Sequence, residues 1–175
     1  MYSVQIAMSL WLATAMSLWA SQGVPYETLP TPRIQPATHA FGIWWVLYAL
    51  LVALAWRGTL PRSARLWLCA SLWCTVLWTG AVRARAWRLA AFCLVAAAAC
   101  AWVAVWRGGE TTLARAAVGT YAGWLSVATA LALAISVPEL DSPVLLATAA
   151  AAVLGLCGVA RTPWPMVSVA WAALA

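Results

Sequence analysis

Charge in this chain is confined to the ends of apolar runs, and that limits its fold more than any motif does. Neither an acid nor an arginine interrupts residues 34–56, 66–82, 89–106, 116–138 or 142–160. The ten basic residues are all arginine, at 33, 57, 62, 65, 83, 85, 88, 107, 115 and 161. The four acids are Glu27, Glu110, Glu139 and Asp141. A helix crosses a bilayer with about 20 mainly apolar residues, so runs of this kind read as spans. Charged residues make up 8 % of the chain, against roughly 25 % in soluble domains. The sequence is therefore that of an integral membrane protein, all-α and polytopic, with room for about six spans and no soluble domain.

The expected spans follow from turn residues and arginines. Span one covers about Val4–Ala20 and is the most polar, with Gln5, Ser9, Thr14 and Ser17. Met1–Ala20 lacks a basic leader, so it reads as a span and not a signal peptide. The long loop Ser21–Thr38 carries Pro25, Pro30, Pro32 and Pro36, which forbid a regular helix there. Span two is about His39–Trp56, span three Ala64–Ala81, span four Leu89–Trp106, span five Leu113–Val137 and span six Val144–Ala160. The apolar tail Trp164–Ala175 is too short to cross alone and reads as a half-span, an interfacial segment or the start of a seventh helix.

Charge placement excludes several functions. No charge sits mid-span, so the usual marks of a pump, proton relay or ion channel are missing. The net charge of +6 is span-flanking arginine, not a nucleic-acid patch. Six arginines fall on the side of the turns after spans two, four and six, and four on the other, which puts the N-terminus on the cytoplasmic-equivalent side. The single histidine, His39, lies at a span mouth. The cysteines, Cys69, Cys74, Cys93, Cys100 and Cys157, sit inside apolar runs with no CxxC spacing. They read as small buried hydrophobes. Catalytic and metal-ligand sets both lack parts, so neither enzyme activity nor a metal site is expected. The chain has no asparagine and no in-membrane acid, which also argues against a chlorophyll-binding antenna.

Thirteen of the fourteen tryptophans divide by depth. Trp19, Trp56, Trp67, Trp87, Trp106 and Trp164 lie near span ends, where the indole favours the interface. Trp44, Trp45, Trp73, Trp78, Trp102, Trp124 and Trp171 lie deeper, where each N–H needs a partner or each ring a cavity. Phe41, Trp44 and Tyr48 fall at i, i+3 and i+7, on one helical face below the proline loop. Trp67, Ser71, Cys74 and Trp78 share a face of span three. Span five carries Tyr121 and Trp124, and its Gly119-xxx-Gly123 pattern reads first as a close-packing seam. Arg115, Tyr121 and Leu125 fit a loose inverted sterol pattern.

These residues bear a likeness. Pro32, Pro36, Phe41-Gly42-Ile43-Trp44 and Tyr48 resemble the proline-rich loop and W-x-x-x-Y of the translocator protein/TspO family, the tryptophan-rich sensory proteins. Tyr121-Ala122-Gly123-Trp124-Leu125-Ser126-Val127-Ala128-Thr129 resembles that family's fifth helix in its longer branch. Trp73 and Trp78 fall where the family's third helix also bears tryptophan. The resemblance implies a TspO-like five-helix bundle over residues 1–137, with one or two extra C-terminal helices in 138–175. It implies a pocket walled by Trp44, Tyr48, Trp78, Tyr121 and Trp124 under a lid of Pro32 and Pro36. The implied ligand is flat and apolar, a porphyrin or a sterol. Some family members degrade protoporphyrin in light with tryptophans that match Trp44 and Trp124. Thr75 and Ala132 stand where the family often has asparagine, which implies a drier interior.

Two functions follow as expectations. One is an apolar-ligand binder in the bilayer, alone or as a homodimer. The other is a non-catalytic accessory subunit of a larger respiratory or photosynthetic complex, suggested by the small residues of spans four to six.

Overall fold

The computed structural model describes residues 42–57, 60–108, 111–137, 139 and 142–174, together with scattered positions between 4 and 16. The proline loop, with Pro32 and Pro36, and also His39 and Phe41, lies outside the described residues. Six helices follow in chain order: α1 (Ile43–Arg57), α2 (Arg62–Arg83), α3 (Trp87–Trp106), α4 (Thr112–Ser136), α5 (Ser142–Ala160) and α6 (Pro165–Leu174). Among the described residues there is no strand. Four helices are long and apolar enough to cross a membrane: α2, α3, α4 and most of α5. Helix α1 is shorter, and α6, with 10 residues, rises only about 15 Å. The described part of the tail is therefore helical, and its ten residues alone are too short to cross a bilayer.

Helix ends coincide with the turn residues seen in sequence. Pro61 holds extended backbone just before α2, where its missing N–H costs nothing. Thr111 caps α4, its hydroxyl accepting from the Ala114 N–H at 3.2 Å. Helices α2 and α5 close with arginines in the left-handed region, Arg85 at φ 57 and Arg161 at φ 49. Beyond each, an amide reaches back to a last-turn carbonyl: Ala86 N to Ala81 O at 2.9 Å and Thr162 N to Cys157 O at 3.2 Å. Glycine normally takes this position, so arginine accepts strain there while its charge lies near the negative helix end.

Helix α4 is the hub. It packs against α1, α3, α5 and α6, while α2 packs mainly on α3. The small residues Ala114, Ala117, Gly119, Ala122, Gly123, Ala130 and Ala134 are all buried along it, so neighbours approach closely from several sides. The described residues between 4 and 16 are helical and lie along α2. Ser9 is within hydrogen-bonding reach of Cys69, and the Met16 methyl lies 4.0 Å from where a Gly80 Cβ would sit. Both numbers rise together, so this segment runs parallel to α2, as two spans separated by a third must.

Several polar side chains inside the bundle pair across helices, which lowers the cost of burying them. The Ser71 hydroxyl donates to Ala97 O at 2.7 Å, joining α2 to α3. Trp102 Nε1 donates to Ser126 Oγ at 3.1 Å, and Ser136 Oγ to Trp87 O at 2.9 Å, joining α3 to α4. Tyr121 and Thr75 share a hydroxyl hydrogen bond of 2.9 Å between α4 and α2. Thr75 therefore supplies a hydroxyl link at this level.

Candidate functional site

Helix α1 buries Ile43, Leu47, Tyr48, Leu51, Leu54 and Ala55, one stripe at helical spacing. That stripe turns Trp44 and Tyr48 toward the bundle, and they stack at 5.5 Å between ring centroids and 26° between planes. Trp44 also lies 6.3 Å from Trp78 of α2, the planes 21° apart, and 6.2 Å from Trp124 of α4, edge-on at 87°. Rings from three helices thus meet at Trp44, at separations typical of favourable aromatic pairs. Trp44 and Trp78 stay partly exposed, while Tyr48 and Trp124 are buried.

Tyr121 sits beside this group in sequence but in a different role. Its side chain is fully buried and its hydroxyl is held by Thr75. Thr75 also reaches Ser71 O at 3.1 Å, so the phenol is anchored to the α2 backbone through one side chain. Of the five residues expected to wall a pocket, four are in one ring cluster and Tyr121 is fixed behind it.

Trp124 carries the one feature of the cluster that packing does not explain. It is 3 % exposed, and among the described residues its Nε1 has no hydrogen-bond partner. Trp102, equally deep, finds Ser126. A buried donor without an acceptor costs roughly 1–3 kcal/mol. No local pattern separates these two indoles, because both lie at similar depth in apolar helices.

Three other deep tryptophans face outward. Trp45, Trp73 and Trp171 are 68, 44 and 39 % exposed, so their rings do not line a closed interior cavity. Trp45 turns outward because its neighbour Trp44 takes the inward face, and adjacent helical residues point about 100° apart. Trp67, placed on one face with Ser71 and Trp78, is 40 % exposed near its helix end, whereas Ser71 is fully buried. Among the described residues, no group of three or more His, Cys, Asp or Glu is placed to hold a metal ion. All five cysteines are free thiols.

The Gly119/Gly123 seam is occupied from within the chain. A Cβ built on Gly123 would lie 2.2 Å from Pro165 O, and one on Gly119 would lie 3.0 Å from the Trp164 Cβ. Ser168, fully buried on α6, donates to Thr120 O at 2.6 Å. The tail therefore docks on the helix that carries Trp124, on the face where α4 lacks side chains. Comparison with known proteins finds no matching family model, no matching curated protein and no matching solved structure.

Proposed function

We propose that this chain is a TspO-like intramembrane binder of a flat, largely apolar ligand that carries a hydrogen-bond acceptor, a tetrapyrrole or a sterol being the expected classes. The observation that carries this reading is the buried, unpartnered Nε1 of Trp124 beside the part-exposed, near-parallel rings of Trp44 and Trp78. Such rings offer a ligand stacking area, and the free donor offers one polar anchor, the usual make-up of a small-molecule site. The sequence resemblance around Trp44, Tyr48 and Trp124 supports the same reading.

The test is a titration of purified protein with protoporphyrin IX and, separately, a sterol, followed by tryptophan quenching. Trp124→Phe keeps a ring and deletes the donor. Relief of the orphaned donor and loss of ring volume oppose each other, so the ligand-free protein is expected to stay within about 1 kcal/mol of wild type while binding weakens roughly tenfold. Trp44→Ala with Trp124→Ala is expected to abolish binding. Wild-type affinity in that double variant would remove the proposed site.

A second reading, an accessory subunit of a larger membrane complex, is favoured by helix α5. Only 6 % of its spanning window is buried within the chain, against 33, 50 and 61 % for α2, α3 and α4. Its outer face presents Ala147, Ala151, Gly155 and Gly158, small enough for close helix contact. Extraction in mild detergent followed by native gels separates the two readings: a lone monomer or dimer excludes the second.

A further inference from the structure

The helix ends divide the arginines unequally between the two membrane faces. Arg57 ends α1, Arg62 and Arg65 begin α2, Arg107 follows α3, Arg115 lies in the first turns of α4, and Arg161 follows α5. Alternating spans bring all six to one face, where the sequence supplies a single acid, Glu110, in the turn after α3. At the opposite face Arg83, Arg85 and Arg88 share their level with Glu139 and Asp141 by sequence.

Helix packing draws four of them, Arg57, Arg107, Arg115 and Arg161, toward the start of α4. Helix α4 touches α1, α3, α5 and α6, so its first turn lies among the ends of α1, α3 and α5. Gly119, one turn beyond Arg115, is against Trp164, three residues beyond Arg161. Arg57, Arg107, Arg115 and Arg161 are all exposed. Two of these follow exposed tryptophans, Trp56 and Trp106, that mark the headgroup level.

Dipole electrostatics sharpen the imbalance. Arg57, Arg107 and Arg161 stand at helix C-termini, where a positive charge is favoured. Arg62, Arg65 and Arg115 stand at the starts of α2 and α4, where the helix end is itself positive, and neither first turn holds an acid. The first turns of α2 and α4 thus add positive potential at that face.

We infer that this arginine rim is a docking surface for anionic phospholipid headgroups, seating the protein with that face on the more anionic leaflet. Guanidinium groups bind phosphate in paired hydrogen bonds, and the flanking indoles hold the same depth. The rim acts independently of the aromatic cluster and of what that cluster binds.

The test uses the full chain in mild detergent. Retained phospholipid is measured by native mass spectrometry after exposure to phosphatidylglycerol or phosphatidylcholine. Wild type is expected to retain phosphatidylglycerol selectively, with retention falling as salt is raised. The triple variant Arg57→Gln, Arg115→Gln, Arg161→Gln is expected to lose affinity on the order of a hundredfold. Replacing the same three by lysine is expected to restore most of it. Arg83→Gln, Arg85→Gln, Arg88→Gln, on the other face, is expected to leave retention unchanged. Should the glutamine triple misfold, the wild-type lipid preference and salt dependence decide alone. Equal retention of both lipids by wild type, or equal loss in both triples, overturns the assignment.

Discussion

Gly123→Ala is expected to destabilise the protein by about 2 kcal/mol, although alanine is ordinarily the better helix former. Two effects oppose each other. In a helix interior, alanine gains about 1 kcal/mol over glycine. Here the new methyl would lie 2.2 Å from Pro165 O and 2.8 Å from the Pro165 carbonyl carbon and Cα. These are backbone atoms and cannot rotate aside, so either α4 strains or the tail leaves its seat. Overpacking of this kind costs about 1–3 kcal/mol, and lifting the tail also exposes the buried Ser168 contact. For a chain of this size the thermal midpoint is expected to fall by about 6 °C. Gly155→Ala is the control, because nothing lies within 4 Å of its would-be Cβ. It is expected to leave the midpoint unchanged or raise it slightly. If Gly123→Ala unfolds at the wild-type temperature, the docking of α6 on α4 is wrong.

Tyr121→Ala is expected to be the most damaging single change, at about 4 kcal/mol. Tyr121 heads the fully buried side chains by volume. Its removal leaves a cavity where α2 and α4 meet, and a bilayer does not supply atoms to fill it. In lipid the driving force between helices is packing, so lost contacts count directly. Tyr121→Phe keeps the ring and removes only the hydroxyl, and is expected to cost about 1 kcal/mol. Thr75 then still has the Ser71 carbonyl at 3.1 Å. The comparison separates ring from hydroxyl: equal losses in the two variants would mean that the hydrogen bond, not the volume, carries the contact. Thermal unfolding monitored by circular dichroism in one detergent is sufficient for both. A variant that binds ligand normally yet unfolds early would mark Tyr121 as a support of the cluster and not one of its walls.

Helix α1 shows how far pattern reading reaches. Its apolar spacing placed Trp44 and Tyr48 on one face, and they stack as that spacing requires. It failed for Trp45, because uniform hydrophobicity around a helix does not show which side meets lipid and which meets protein. Both sides are apolar, so the amphipathic signal that orients a helix in water is weak here. The same ambiguity hid the difference between Trp102 and Trp124. Ser126 lies one α4 turn from Ala122 and happens to face α3, and no local pattern announces that. The tail is a further case. Its length left open a half-span, an interfacial segment or the start of a further helix, and its seat depends on Gly119 and Gly123, more than 40 residues away.

Charge and hydropathy by themselves determined the number and limits of the apolar segments, their helical class, and the arginines at their ends. They did so because a bilayer rejects charge and unpaired backbone wherever they occur, whatever the neighbours. Tertiary structure alone decided which indoles meet, which hydroxyls pair, and that the last helix fills the glycine seam of α4. Those outcomes depend on the relative rotation and approach of helices, set by side-chain volume across contacts distant in the chain.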